Sequence, residues 1–284
     1  MSALRQRFLE DLKVSGLAPR TQEAYVHAVL QLAKHYGRSP DALSEGDVRR
    51  YFVHVRDVKG WAPSTIKRSL CGIKFFYEKT LKREWHVFEL ARAPHKKRLP
   101  VVLSRKEVRH ILGAIRNDTY RACLTTIYAC GLRVSEGASL RVGDIDSARM
   151  LVHVVQGKGA CDRFIPLPRG LLDLLRRYWK THRSPEWLFP APSSTPDALR
   201  PVSRMALAHT LWTTRSAIGF RKRVHAHCFR HSYATHLLEA GVHLNLIQAY
   251  LGHRSSRSTE IYTHLTREVH RGAKKPIDQL MEGF

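Results

Sequence analysis

Acidic residues are scarce in this chain. Its 284 residues include 24 Asp and Glu against 48 Lys and Arg, a formal net charge of +24. The pI is about 10.4. Such an excess repels itself in a folded chain and is relieved by a polyanion. Nucleic acid is the leading partner, and an anionic membrane surface the second. Long apolar runs are also missing. No stretch approaches the ~20 residues of a membrane span. The opening MSALRQRFLEDLKVSG lacks the apolar segment of a secretory signal. The five cysteines (Cys71, Cys123, Cys130, Cys161, Cys228) form an odd set without a CxxC pair. That pattern argues for free thiols in a reducing compartment, so a cytoplasmic protein is expected. Neither HExxH nor GxxxxGK[ST] occurs, and there is no internal repeat. What is present is a globular composition, 43% hydrophobic, in a chain long enough for one large domain or two ordinary ones.

The first ninety residues read as helices. RTQEAYVHAVLQLAKHYG puts Ala24, Ala28, Leu32 and Tyr36 on one face. Ser44 is the expected N-cap of the next helix, with Asp47 in its first turn. APSTIKRSLCGIKFFYEKTL sets Ile66, Leu70, Ile73, Phe76 and Tyr77 at helical spacing, with Lys67, Arg68 and Lys74 off that stripe. ARAPHKKRLPVVLS then breaks the periodicity with two prolines and the run His95, Lys96, Lys97, Arg98. This is an expected linker, either solvated or lying along a phosphate backbone. Beyond it, Ser104 and Glu107 form a capping box. An apolar helix ends at Gly131. MLVHVVQGKGACDRFIPLP reads as a hairpin with Lys158 at or near its tip. Helices resume to near Leu265, followed by a basic tail. The expected fold is mainly α with a small sheet or hairpin. The expected domains are 1–90 helical, 91–103 linker and 104–284 mixed α/β.

Four segments carry candidate chemistry. In HCFRHSYATHLLEAG, Ala234, Leu237, Leu238 and Tyr233 are expected to bury the helix, while His227 and Arg230 share a helical face and together offer an imidazole and a donor fork to one phosphate. Taken singly, a surface pair is the better reading. His231 is four residues from His227, with His225, Cys228 and His236 nearby, so a metal site must be weighed. The partner ligands of a zinc site are missing, and no metal is expected. GLRVSE supplies Arg133 and Glu136, either a structural pair or an anion site with Glu136 as its orienting group. Lys158 sits between two glycines. LGHRSSRSTEIYTHL supplies His253 and Tyr262, one of ten tyrosines.

Each signal is weak singly, but their order is specific. Arg133, Lys158, His227, Arg230, His253 and Tyr262 follow one another as in the tyrosine site-specific recombinases, the phage integrase family, and the chain resembles that family over nearly its whole length. The compact form resembles the XerC/XerD type. No arm-binding domain is expected ahead of the core-binding helices, and the about seventy residues between Lys158 and His227 leave little room for the extra helix of integron integrases. There are departures. Phe229 and Tyr233 stand where the family's HxLRHSFATH has Leu and Phe. Cys161 replaces a second lysine of GKGxKxR, and Arg163 keeps the basic position that follows.

The resemblance implies a two-domain DNA clamp that cuts and rejoins strands without ATP or any cofactor, by chemistry like that of type IB topoisomerases. Tyr262 would attack a DNA phosphate and form a 3′-phosphotyrosine, releasing a 5′-hydroxyl. Arg133, Arg230 and His253 would stabilise the transition state. His227 would accept the tyrosine proton or hold an oxygen. Lys158 would protonate the leaving oxygen. Glu136 and His231 would support the cluster. Lys67, Arg68, Lys74 and the linker residues Lys96, Lys97 and Arg98 are the expected DNA contacts. The implied partners are a double-stranded recombination site and a tetramer on DNA, of one chain or with a second recombinase. The tail would dock on a neighbouring subunit. The rival expectation is a non-catalytic or accessory DNA-binding protein on the same scaffold.

Overall fold

A computed structural model describes residues 2–90, 100–155, 162–191, 200–252 and 277–281. The chain divides into two units, Met1–Arg98 and Leu99–Phe284, each built on its own hydrophobic core.

The first unit is helical: α1 (Ala3–Val14), α2 (Pro19–Tyr36), α3 (Glu45–Asp57), α4 (Pro63–Phe75) and the short α5 (Val87–Leu90). Ser44 starts α3 as expected. Its hydroxyl accepts the Asp47 N–H at 3.2 Å, and the Asp47 carboxylate accepts the Ser44 N–H at 2.9 Å. Of the face expected on α2, Ala28 and Leu32 are buried, while Tyr36 donates its hydroxyl to the Asp47 carbonyl at 2.7 Å. Ile73, Phe76 and Tyr77 are buried with Phe8, Leu12, Val48 and Val55. The stripe of α4 continues into a turn of π-helix, Phe76–Thr80, which brings both aromatic residues inward.

The second unit surrounds two long buried helices. Its elements are α6 (Arg105–Gly113), α7 (Asp118–Ala129), α8 (Val134–Ala138), the strands β1 (Ile145–Asp146), β2 (Leu151–Val154) and β3 (Arg163–Pro166), then α9 (Arg169–Trp179), α10 (Arg204–Ala217), α11 (Ala226–Glu239) and α12 (Leu244–Leu251). The strands form one antiparallel sheet in the order β1-β2-β3. Val154 lies opposite Arg163, and Leu151 opposite Pro166. The expected hairpin is therefore present as β2 and β3. The two-residue β1 was not legible beforehand, being shorter than any periodicity. The fold class is as expected: mainly helical, with one small sheet.

Helix α7 is buried from Ala122 to Ala129, and the chain turns at Gly131 with φ +60°. A Cβ there would sit 2.4 Å from the Tyr233 ring, so both the backbone angle and the space require glycine. Helix α11 buries eight of its residues, from Ala226 to Leu237, and leaves His227, His231 and Leu238 exposed; among the described residues its inward polar groups are partnered with one exception. Ser232 accepts the Leu103 N–H and donates to the Cys228 carbonyl, both at 2.8 Å. His236 Nδ1 lies 2.9 Å from the Tyr128 hydroxyl. The chain is thus already anchored in this core at Leu103. Leu238, expected to help bury α11, is 54% exposed. Ile277, Leu280 and Met281 close the core of their own chain, and Asp278 accepts the Arg169 N–H at 3.0 Å. These five tail residues pack on their own chain.

Candidate active site

The ends of α7, α11 and α12 and the start of β3 meet at one carboxylate. Glu136 lies in α8, five residues after the Gly131 turn, and its side chain is 6% exposed. Arg133 donates to it twice, from the backbone N–H to Oε2 at 2.8 Å and from Nη1 to Oε1 at 2.6 Å. Arg163 reaches it from β3 with Nη1 to Oε1 at 3.1 Å and Nη2 to Oε2 at 2.7 Å. Arg230, on the first turns of α11, holds its Nη1 3.9 Å from Oε2. Its guanidinium donates instead to the Gly131 carbonyl at 2.8 Å and the Leu251 carbonyl at 2.5 Å.

Three guanidiniums against one carboxylate leave two positive charges unbalanced among these side chains. Their remaining acceptors are backbone. Tyr250, Leu251 and Gly252, successive residues at the end of α12, each give a carbonyl to a different arginine. Arg163 Nε takes Tyr250 at 2.7 Å, Arg230 takes Leu251, and Arg133 Nη2 takes Gly252 at 3.0 Å. The C-terminal carbonyls of a helix lack intrahelical partners and carry partial negative charge, so cations are well placed there. Gly252 closes α12 with φ +60° and has the Arg163 side chain 3.1 Å from where a Cβ would stand.

Burial alone would raise the Glu136 carboxyl. The bonds and charge of Arg163, followed by those of Arg133, outweigh it and hold the carboxyl at about 2. Burial and then the charge of Arg133 bring Arg230 down to about 10, and it remains a cation at neutral pH. His227 lies one turn from Arg230 and is exposed at the start of α11. Its pKa falls below the ordinary value through partial burial, then through His225, Arg230 and Arg133. A cationic cluster beside a neutral imidazole is suited to an anion that must also exchange a proton.

Of the residues singled out in the sequence, the fold thus brings Arg133, Glu136 and Arg230 together, with His227 beside them. His231 is exposed, and its pKa is lowered by burial and by His227. It makes no contact with Glu136 among those described. Lys67 and Arg68 are exposed on α4, whereas Lys74 pairs with Glu78 at 3.4 Å. Lys158, His253, Tyr262, Lys96, Lys97 and Arg98 lie outside the described residues. Among the described residues, no group of three or more His, Cys, Asp or Glu is arranged to hold a metal ion, and no helix is long and apolar enough to cross a membrane. Sequence reasoning missed Arg163 as a member of the cluster. Its signals were the basic position of GKGxKxR that it keeps and an arginine where strand alternation calls for a core residue.

Among the described residues, one buried group next to the cluster has no partner. Tyr233 is fully buried and its hydroxyl makes no hydrogen bond to any of them. An unsatisfied buried hydroxyl costs about 1–3 kcal/mol. Tyr233→Phe keeps the ring that packs on Gly131 and removes the hydroxyl. It is expected to stabilise this unit by about 1 kcal/mol and to raise its melting temperature by about 2–4 °C in thermal denaturation. An unchanged or lower melting temperature would show that the hydroxyl has a partner.

Known proteins resemble this chain over both of its units. Residues 101–268 match the model of the phage integrase family, and residues 4–87 match the phage integrase N-terminal SAM-like domain. Tyrosine recombinase XerA of Thermococcus onnurineus is 39% identical over 280 residues, covering 96% of this chain and 94% of its own. Tyrosine recombinase XerC of Halalkalibacterium halodurans is 31% identical, covering 80% and 79%. Among solved structures, the lambda integrase tetramer bound to a Holliday junction shares the fold, with a TM-score of 0.73 at 17% identity over 90% of this chain and 77% of that one. With a family match over both units and relatives of this identity along the chain, the protein belongs to the phage integrase family of tyrosine recombinases, enzymes of site-specific recombination that cleave and rejoin DNA.

Proposed function

We propose that the chain recombines specific DNA sites through a covalent 3′-phosphotyrosine, with Tyr262 as the nucleophile. The observation that carries this reading is the convergence of Arg133 and Arg230 on a buried site with surplus positive charge, beside a neutral His227. The Tyr262 oxygen bonds to phosphorus and the bond to the 5′-oxygen breaks. Lys158 supplies the proton that the leaving oxygen takes up. The tyrosine's proton goes to His227, whose lowered pKa suits acceptance. Arg133, Arg230 and His253 neutralise charge on the non-bridging oxygens of the pentavalent state. Glu136 orients the arginines and His231 lies behind His227. The cationic side chains do what a divalent metal would otherwise do for the charge.

In this reading, residues 1–90 form a core-binding domain that places Lys67, Arg68 and Lys74 on DNA. Residues 91–103, with Lys96, Lys97 and Arg98, run along the backbone as a linker, and residues 104–284 carry the chemistry. The working assembly is a tetramer on double-stranded DNA in the cytoplasm, associated with the nucleoid, as the lambda integrase tetramer on a Holliday junction suggests by analogy. The net charge of +24 supports DNA as partner.

The test is relaxation of supercoiled plasmid carrying a bound site, in EDTA and without nucleotide. Relaxed topoisomers are expected, because a covalent intermediate conserves the bond energy. Tight binding without relaxation would favour the rival reading, a non-catalytic DNA-binding protein on this scaffold.

A further inference from the structure

Arg163 occupies a position where an arginine is costly. Side chains alternate along β3, and Phe164 is 49% exposed while Ile165 is fully buried. Arg163 shares the face of Ile165, opposite Val154 in β2, and its side chain is only 9% exposed. A cation at a core-facing strand position persists only when its charge and its donors are met. Here they are met by both oxygens of Glu136 and by the Tyr250 carbonyl. The three bonds tie β3, α8 and the end of α12 at one point.

The geometry around Glu136 indicates what this knot accomplishes. A carboxylate has two oxygens and about four acceptor sites. Arg133 fills two of them and Arg163 the other two. Arg230 is left at 3.9 Å from Oε2, beyond hydrogen-bond distance, with its donors on the Gly131 and Leu251 carbonyls. If Arg163 were absent, Glu136 would have two open sites, and Arg230 is the nearest remaining cation. The two charges would close on each other, and Arg230 would turn away from the anion it faces. The carbonyl of Tyr250 would lose its donor at the same time, one residue before the carbonyl that holds Arg230.

We propose that Arg163 is a positioning residue of the cleavage site: it saturates Glu136 and clamps the end of α12, so that Arg133 and Arg230 stay apart and free to share one phosphate. The inference rests on the reading of this cluster as the phosphate site. Arg163 touches neither the phosphate nor the nucleophile in this role and acts through Glu136.

That route predicts suppression. Replacing an orienting partner of this kind costs about 10–100-fold in activity. Arg163→Ala should slow single-turnover cleavage of a nicked duplex by that factor at saturating DNA, with affinity nearly unchanged. The duplex carries a site recovered from random DNA by the wild-type protein. Adding Glu136→Gln removes the charge that captures Arg230. The double variant should then cleave at least as fast as Arg163→Ala alone, whereas a merely structural role would make it slower still. If Arg163→Ala does not fold, Arg163→Lys carries the same comparison. It keeps the charge but cannot engage both carboxylate oxygens and the Tyr250 carbonyl together, and about tenfold slower cleavage is expected. Wild-type cleavage rates in the Arg163 variants, or a double variant slower than its Arg163 parent, would overturn the proposal. Failure of the wild-type protein to form any adduct through Tyr262 would instead overturn the functional reading beneath it.

Discussion

Tyr262→Phe is expected to abolish covalent attachment to DNA, a loss of at least ~10⁴-fold, with DNA affinity nearly unchanged. The size of the effect follows from the absence, among the described residues, of a substitute nucleophile beside the arginines. Two tyrosines of those residues stand there, Tyr233 and Tyr250, and both are fully buried. Burial pushes both phenols well above their ordinary value, so neither can supply a phenolate at neutral pH. Neither can move to a phosphate without emptying the core between α7 and α11 or α12. A labelled nicked duplex, mixed with each protein and resolved under denaturing conditions, reads the result directly. A persisting adduct in Tyr262→Phe would place the nucleophile elsewhere in the chain.

Glu136→Ala is expected to carry the largest cost in stability of any single change at the site, about 3–5 kcal/mol. The variant leaves Arg163, Arg230 and Arg133 crowded together with no carboxylate among them. An independent route gives a similar size. A carboxyl held at about 2 in the fold, against an ordinary value near 4.5, corresponds to about 3 kcal/mol at neutral pH. The sign is that of a depressed acid: the stabilisation is complete above the unfolded value and is lost as pH falls from about 4.5 toward about 2. Denaturant unfolding at pH 7 should therefore show the full loss in Glu136→Ala. Below pH 4 the wild-type protein should approach the variant. A loss under about 1 kcal/mol at pH 7 would mean that the arginines are stabilised chiefly by the carbonyls of α12.

Local chemistry was legible in the sequence, and long-range chemistry was not. Ser44 and Ser104 announced α3 and α6 because a capping box closes within three residues. The β-rich runs around Lys158 announced β2 and β3 because alternation is a property of the strand itself. Arg133 and Glu136 could be paired on paper for the same reason. Arg163 could not, since its carboxylate partner lies 27 residues away and its carbonyl partner 87. Leu238 was misplaced for a related cause. Apolar and polar residues are mixed around the whole of α11, so periodicity gives no direction, and only the packing of α7 and α12 decides which side faces inward. The replacement of Phe by Tyr at position 233 could be read as hydrophobic, but its stranded hydroxyl shows only in three dimensions.

The two hydrophobic cores share no residue. If each core unfolds cooperatively by itself, the calorimetric trace is a sum in which a single enthalpy and a single midpoint have no defined meaning. Damage at Glu136 is then confined to one component of that trace. The helical unit of Met1–Arg98 keeps its own enthalpy and serves as an internal reference against which each variant of the other unit can be read.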